Sequence, residues 1–223
     1  MALLLAAPTC ADVPQGVSLA FARYLNLVGQ KANPAVATQV EIEASLPKLR
    51  KQGHLRAIRR GPVYEVLQIE GDATVKQQVI ARYLSSETQT DAIPPATVAI
   101  SPANYKFRYT GSIDTPGRHA YVFEITPKKK RPGLIAGQLW IDATTGLAVR
   151  QAGHLVKSPS VFVRRVDITR DTEVSDDGQV HRVTHVDIDT RLVGHARLRI
   201  DEQPWAPADD DRVTSLDSTE REQ

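Results

Sequence analysis

The chain has 223 residues, of which 41% are hydrophobic and 24% are charged, and its formal net charge is +2. This composition excludes a disordered chain, and the near-neutral charge argues against a partner held mainly by electrostatics. The length suits one large β domain, since β sandwiches and barrels often exceed 200 residues without splitting. We therefore expect a single domain over residues 12–203, followed by a polar and flexible tail over residues 204–223.

The N-terminus resembles a secretory signal peptide over residues 1–11. An apolar run at residues 2–7 is followed by Pro8 and by small residues up to Ala11, where cleavage is expected. The positively charged segment that normally begins such a leader is missing, so either translation starts upstream of Met1 or the leader is of another kind. A short buried helix is the alternative, and Pro8 disfavours it. The pattern predicts export to the periplasm.

Cys10 is the only cysteine, and it lies within this leader. The mature chain therefore has no disulfide, thiolate nucleophile or thiolate metal site. Lipid attachment at Cys10 is an alternative that the preceding residues disfavour. No later segment approaches the roughly 18 consecutive apolar residues that a membrane-spanning helix needs.

The hydrophobic periodicity predicts two amphipathic helices, over residues 17–29 and 75–88, with short strands between them. After residue 104 the pattern changes to about seven strands without an intervening helix, so the connections are hairpins and the sheet is antiparallel. These strands are predicted at residues 105–110, 120–125, 134–142, 147–152, 161–169, 180–190 and 192–200.

The alternating aromatic residues of the first two of these strands are the strongest candidate for a binding surface. Two helices are few for a broad sheet, and apolar surface that they leave uncovered forms either an exposed patch or a cavity. We expect an apolar ligand-binding cavity, lined by Phe21, Leu25, Tyr105, Phe107, Tyr109, Tyr121, Phe123, Leu139, Trp140, Val161 and Val163.

The sequence offers little for catalysis, and we predict no catalytic residue and no cofactor. It has neither the Gly-x-Ser-x-Gly elbow of serine hydrolases nor the His-Glu-x-x-His helix of zinc hydrolases. His185, Asp187 and Asp189 share one face of a predicted strand. This spacing suits a metal ion, but it is also typical of the solvated face of a half-exposed strand, which is the interpretation we favour.

A basic segment, residues 127–132, separates two predicted strands. Its sequence PKKKRP resembles a nucleic-acid-binding patch, but it carries no interleaved aromatic residue for base stacking, so we expect no nucleic-acid partner. A solvated hairpin tip is the favoured interpretation. Transient contact with an anionic membrane surface is the functional alternative.

Four motifs resemble the LolA-like superfamily of outer-membrane lipoprotein-sorting proteins, over roughly residues 17–200. They are NYKFRY at 104–109, PKKK at 127–130 leading to GLIAGQLWID at 133–142, TGLAVR at 145–150 and PSVFV at 159–163. The resemblance implies an α+β fold that is mainly antiparallel β, a curved incomplete half-barrel with two covering helices. It also implies a monomer whose apolar interior holds the acyl chains of a lipid or lipoprotein.

Several roles follow from this resemblance. The first hypothesis is a non-catalytic periplasmic carrier that binds lipid or lipoprotein in outer-membrane biogenesis, and the second is an envelope sensor or protein-interaction domain of the same fold. A metal-dependent enzyme is the least favoured hypothesis. No motif selects a counterpart of the carriers' gating arginine, for which Arg56, Arg59 and Arg60 are the candidates.

Overall fold

The computed structural model describes residues 14–29, 37–91, 93–115, 118–175, 177–191 and 194–206. The predicted leader at residues 1–11, with Cys10, lies outside the described residues, as does the predicted tail beyond Ala206.

The helices lie in the first half of the chain. One begins at Gln15, and the second is a composite helix in which a π-helical turn separates two α-helical segments. The bounds are α1 (Gln15–Gly29), a 3-10 turn (Pro47–Leu49), α2 (Ala73–Val75), the π turn (Lys76–Ile80), α3 (Ala81–Asp91) and α4 (Pro95–Val98). Within the described residues, no helix is long and apolar enough to cross a membrane.

The described residues form ten strands in one hydrogen-bonded sheet, in the order β3-β2-β1-β10-β9-β8-β7-β6-β5-β4. The strands are β1 (Thr38–Leu46), β2 (Lys51–Arg60), β3 (Val63–Gly71), β4 (Tyr105–Thr115), β5 (Arg118–Pro127), β6 (Ile135–Asp142), β7 (Ala148–Leu155), β8 (Val163–Val174), β9 (Val180–Thr190) and β10 (His195–Pro204).

This architecture confirms the predicted fold class. The chain is α+β with a dominant sheet, whose strand pairs are antiparallel, and β3 and β4 end the sheet instead of pairing to close a barrel. Both predicted amphipathic helices and the seven strands after residue 104 are present.

Several strand ends differ from the prediction, and among them β4 continues to Thr115 and β8 to Val174. β8 begins at Val163, because Val161 and Phe162 belong to the preceding turn. β10 continues past Ile200 to Pro204, although the pattern there turns polar. Glu202 is 9% exposed because Arg59 accompanies it, with 3.0 Å between the Arg59 Nη2 and Glu202 Oε1 atoms, and a paired charge can be buried where an unpaired one cannot.

The described residues group into two compact units, and the predicted single domain over residues 12–203 stays a prediction. Unit 1 takes the described residues of 1–31, 93–172 and 188–191, and unit 2 takes those of 32–92, 173–187 and 192–223. Each unit has a sheet face covered by a helix.

In unit 2 the composite helix covers one face of β1 and β2. Val75 and Ile80 are fully buried, and a Cβ atom added to Gly53 would lie 3.0 Å from the Val75 Cγ1 atom and 3.4 Å from the Ile80 Cδ1 atom. A glycine therefore lets the helix approach the strand closely. The core on this face is completed by Val40, Ile42, Ala44, Leu46, Leu55 and Ala57.

In unit 1, α1 packs against the β6–β7 turn. Asp142 shapes the turn by accepting hydrogen bonds from the Thr144 and Thr145 amides, at 3.0 and 2.7 Å. The Thr144 carbonyl in turn accepts a hydrogen bond from the Arg23 guanidinium of α1 at 2.6 Å. Gly146, at a φ of 77°, is buried against α1, where an added Cβ atom would lie 2.5 Å from the Arg23 Cβ atom.

The Asp142 carboxyl is partly desolvated, which opposes ionisation, but the hydrogen bonds from Thr145 and Thr144 and the charge of Arg118 outweigh this effect and lower its pKa. A carboxyl group whose pKa is lower in the folded state stabilises the fold above its unfolded pKa, and this contribution is lost as the pH falls through the folded pKa.

We expect Asp142→Asn to reduce the acid sensitivity of the fold. The free energy of unfolding of the wild type should fall with decreasing pH below about 4, the unperturbed pKa of an aspartate. The variant should be less stable than the wild type at neutral pH, and the difference should shrink as the pH falls. Urea unfolding at a series of pH values measures this, and a constant difference across the series would contradict the assigned role.

Substitution of Gly146 tests whether α1 packs against the β6–β7 turn. Gly146→Ala meets both an unfavourable left-handed conformation and the backbone of α1, whereas Gly61→Ala, at a φ of 58° with nothing within 4 Å of the added Cβ atom, meets only the first. The conformational term costs about 1–2 kcal/mol in each variant. Steric overlap should destabilise Gly146→Ala by roughly 1–3 kcal/mol more. Equal losses in urea unfolding would show that α1 does not rest on this turn.

Candidate ligand-binding surface

The candidate surface is the helix-covered face of unit 1, which we call the aromatic face. Strand alternation places Tyr105, Phe107 and Tyr109 of β4 on it, and the register sets Phe107 opposite Ile125 and Tyr109 opposite Phe123. The face continues onto β6, where Leu139 pairs with Phe123 and Ile141 pairs with Tyr121.

α1 covers the centre of the aromatic face. The residues of this centre are all buried, and they comprise Val17, Ala20, Tyr24, Tyr105, Phe123, Ile125, Leu134, Leu139 and Ile141. Phe21 of α1 reaches both strands, with ring centroids 4.9 Å from Phe107 and 5.2 Å from Phe123. Contacts at such distances stabilise aromatic pairs beyond the burial of area alone.

The rim of the aromatic face is only half-buried. Phe21, Phe107, Tyr109 and Tyr121 pack against the buried centre but keep part of their surface in solvent. Their rings continue the contact, since Tyr109 lies 5.8 Å from Phe123 and 6.2 Å from Tyr121 between ring centroids. The apolar surface therefore extends beyond the area that α1 seals.

Tyr24 adds a polar contact at the buried side of α1. Its hydroxyl donates a hydrogen bond of 2.7 Å to the Ile100 carbonyl, and burial raises its pKa, so the phenol stays protonated at physiological pH. Together with the Arg23 contact to Thr144, this hydrogen bond ties the middle of α1 to two separate loops of unit 1.

The structure brings together eight of the eleven residues predicted to line a cavity. They are Phe21, Leu25, Tyr105, Phe107, Tyr109, Tyr121, Phe123 and Leu139. Whether they contact a ligand stays a prediction. Sequence reasoning missed Ile141 and Tyr24, although both fit the periodicity, Ile141 by alternation from Leu139 and Tyr24 by helical spacing from Ala20.

The other three residues lie elsewhere. Trp140 follows Leu139 directly, and consecutive strand residues point to opposite faces, so its side chain lies on the other face, where the Arg150 guanidinium stacks at 5.2 Å from the ring centroid. Val161 is 78% exposed in the turn before β8, and Val163 is half-buried at the start of that strand.

Two cavities lie in unit 2, and charged side chains are among the residues that line each of them. The first measures about 420 Å³ and lies beside Arg59, Arg182 and Glu202, with the loop residues 177–180 on another side. The second, of about 660 Å³, is lined by residues from five strands, including Glu43, His54, Glu70, His185 and Arg197. Neither is lined by a residue of the aromatic face.

The three candidate arginines of β2 have different surroundings. Arg59 lies in the first cavity beside Glu202, which also lies 3.5 Å from Arg182. Arg56 and Arg60 form more exposed ion pairs with Glu41, at 3.2 Å, and with Glu65, at 2.6 Å. Arg59 is therefore the one of the three that belongs to a largely buried network.

His185, Asp187 and Asp189 lie along β9, where Asp187 accepts a hydrogen bond of 3.1 Å from the Arg197 guanidinium. His185 and Asp187 are exposed. Over the part of the chain that the structure describes, no group of three or more histidine, cysteine, aspartate or glutamate side chains is arranged to hold a metal ion.

Comparison with known proteins gives matches among solved structures. No family model and no curated protein sequence matches the chain. The crystal structure of LolA superfamily protein NE2245 from Nitrosomonas europaea is 11% identical, with a TM-score of 0.38 over 87% of this chain and 95% of that one. The crystal structure of MucB in complex with MucA(peri) is 12% identical, with a TM-score of 0.25 over 83% of this chain and 92% of that one. The name of the first of these proteins includes the LolA superfamily, which is the family that the four sequence motifs resemble.

Proposed function

We propose that the protein is a non-catalytic, periplasmic carrier that binds the acyl chains of a lipid or lipoprotein on the aromatic face of unit 1. The half-buried rim of this face carries the proposal, because the four aromatic residues Phe21, Phe107, Tyr109 and Tyr121 adjoin a buried core and keep part of their surface in solvent. The periplasmic location rests on the leader pattern of residues 1–11.

The chemistry of the rim favours a hydrocarbon ligand. Burial of an acyl chain contributes about 0.8 kcal/mol per methylene group, so a long chain binds tightly without a specific polar contact. The phenolic hydroxyls of Tyr109 and Tyr121 suit a boundary where one side of the ligand is apolar and the other is hydrated. Such binding requires no covalent step.

A mobile α1 would enlarge the site. Two polar contacts hold the helix in addition to its apolar packing, namely Tyr24 with Ile100 and Arg23 with Thr144. Each contributes on the order of 1 kcal/mol, whereas the apolar contacts with the buried centre carry most of the attachment. An acyl chain that replaces these apolar contacts can therefore take the place of α1 at modest cost.

Truncation of a rim residue tests the proposal. Phe107→Ala should weaken the uptake of a fluorescent fatty acid by delipidated protein at least about tenfold, since tenfold corresponds to about 1.4 kcal/mol and a phenyl group contributes more than this when buried. Leu49→Ala is the control, because Leu49 is 48% exposed in unit 2 and away from the aromatic face. Fluorescence titration measures the affinity.

Two results would contradict the proposal. One is a delipidated wild type that takes up neither a fluorescent fatty acid nor a fluorescent phospholipid, and the other is equal affinity in Phe107→Ala, Leu49→Ala and the wild type. Urea unfolding of each variant separates a loss of binding from a loss of fold.

The free edge of β3 favours a second candidate function, a protein-interaction domain. β3 ends the sheet order, and among the described residues no strand pairs with its outer edge. Val63, Val66, Leu67 and Ile69 are between 43% and 63% exposed there. An edge that combines free backbone groups with apolar side chains is suited to adding an extended peptide as a further strand.

Peptide addition at β3 would be visible by hydrogen exchange. Glu70 is exposed on this strand, so a synthetic peptide of alternating valine and lysine should pair with it and slow the exchange of the β3 amides. Leu67→Lys should remove the protection by placing a positive charge against the peptide. If exchange in β3 is unchanged with excess peptide, this candidate fails, while the acyl-chain proposal is unaffected.

A further inference from the structure

The turn between β7 and β8, residues 156–162, presents apolar side chains to solvent. Val161 is 78% exposed, the most of any large apolar residue that the structure describes, and the adjacent Phe162 is 54% exposed. Two neighbouring apolar side chains at the tip of a connection bury nothing within unit 1. Exposed apolar groups of this kind often mark an interaction surface.

The backbone of this turn is tied internally. The Ser158 hydroxyl donates to the Val163 carbonyl at 2.6 Å, and the Val163 amide donates to the Ser160 carbonyl at 3.1 Å. The Phe162 amide donates to the Ser160 hydroxyl at 3.2 Å, and the Phe162 carbonyl accepts from the Arg191 amide at 2.9 Å. These bonds satisfy polar groups of the backbone, so the tip can enter an apolar medium at reduced cost.

Basic residues lie at the same end of the strands as the tip. In an antiparallel sheet alternate connections emerge at the same end, so the β5–β6 connection lies at the same end of the strands as residues 156–162. The Val156 amide joins the two connections directly by donating to the Leu134 carbonyl at 3.0 Å. The two segments carry five exposed basic residues, which are Lys128, Lys129, Lys130, Arg131 and Lys157, and the exposed Arg164 follows at the start of β8.

Few acidic groups oppose this charge. Residues 128–134 and 156–164 contain no aspartate or glutamate. Asp167 follows in β8, but its carboxylate is held by the Arg165 guanidinium at 2.7 Å, and this hydrogen bond lowers its pKa and keeps it paired. Asp189, in β9 two residues before Arg191, and Glu124 of β5, which pairs with Arg108, are further acidic groups near this end.

We propose that this end of unit 1 docks on an anionic lipid bilayer. Val161 and Phe162 insert between the lipid headgroups, and the basic residues at this end contact the headgroups. Apolar side chains with basic residues nearby match the apolar interior and the anionic headgroups of such a surface. Each lysine or arginine close to an anionic leaflet contributes about 1 kcal/mol, and the apolar side chains add the energy of their burial. The inference is independent of acyl-chain binding on the aromatic face.

Vesicle flotation tests the docking with the full-length protein. We expect the protein to float with vesicles of phosphatidylcholine and phosphatidylglycerol in equal amounts, and to bind vesicles of phosphatidylcholine alone at least about tenfold more weakly, with added salt removing the difference. Equal binding to both kinds of vesicle, or to neither, would overturn the proposal.

Paired variants separate the apolar and the charged contributions. The double variant Val161→Ser with Phe162→Ser should lower the partition coefficient at least tenfold, while Val63→Ser, which removes a valine that is 63% exposed in unit 2, should not. Lys129→Glu with Lys130→Glu should abolish flotation, while Arg82→Glu, at an exposed site of α3, should have little effect. A serine double variant that floats like the wild type would also overturn the proposal.

Two further measurements keep this result separate from the acyl-chain proposal. All substituted side chains are exposed, so the midpoints of urea unfolding should stay close to that of the wild type. Uptake of a soluble fluorescent fatty acid should be unchanged in the serine double variant. Loss of flotation together with loss of fatty-acid uptake would show a general defect and would overturn a docking role specific to this turn.

Discussion

The structure of unit 1 depends on a mismatch between the apolar width of a sheet and the width of one helix. Strand alternation brings every second residue of β4, β5 and β6 to the same face, and the sequence makes nearly all of these residues aromatic or aliphatic. One helix covers the area around its own axis, whereas the apolar side chains of this face are spread over three strands and along the length of each strand. α1 therefore seals the middle and leaves the aromatic rim half-exposed.

The contacts that hold α1 in place do not add to the apolar area that it covers. The helix rests on a turn whose conformation is set by one carboxylate, Asp142, and whose glycine, Gly146, admits the helix backbone. These contacts position α1 without enlarging the apolar area that it covers. The contacts that position α1 are thus separate from the apolar contacts by which it covers the sheet. The rim therefore stays half-exposed however strongly the β6–β7 turn holds the helix.

Local periodicity predicted most of the elements, because each one has a single buried face. α1 and the composite helix repeat apolar residues at helical spacing, and β4 alternates aromatic with polar residues over 105–109. The strand end at Glu202 was not predictable in this way, since its burial depends on Arg59, which is distant in sequence and adjacent only through the pairing of β10 with β1 and β1 with β2.

Six strand residues of the aromatic face were likewise predictable from alternation, and Phe21 and Leu25 from helical spacing, but their exposure was not. Phe107 and Phe123 look alike in the sequence, and only the position of α1 makes the first half-buried and the second buried. Hydrophobicity alone did not assign Trp140 to the correct face. It grouped Trp140 with Leu139, whereas strand geometry places the two side chains on opposite faces.

Exposure also distinguishes the two apolar features of unit 1 from each other. Side chains of the rim lie beside a buried core, so a ligand bound there gains contact on one side with packed atoms and must itself be apolar on that side. Val161 and Phe162 are not members of that buried cluster, and their turn lies at the same end of the sheet as several exposed basic residues. A small molecule finds no concave surface at such a tip, whereas an extended lipid surface can surround it. The same hydrophobic effect therefore favours an enclosed ligand at the rim and a fluid, anionic interface at the tip.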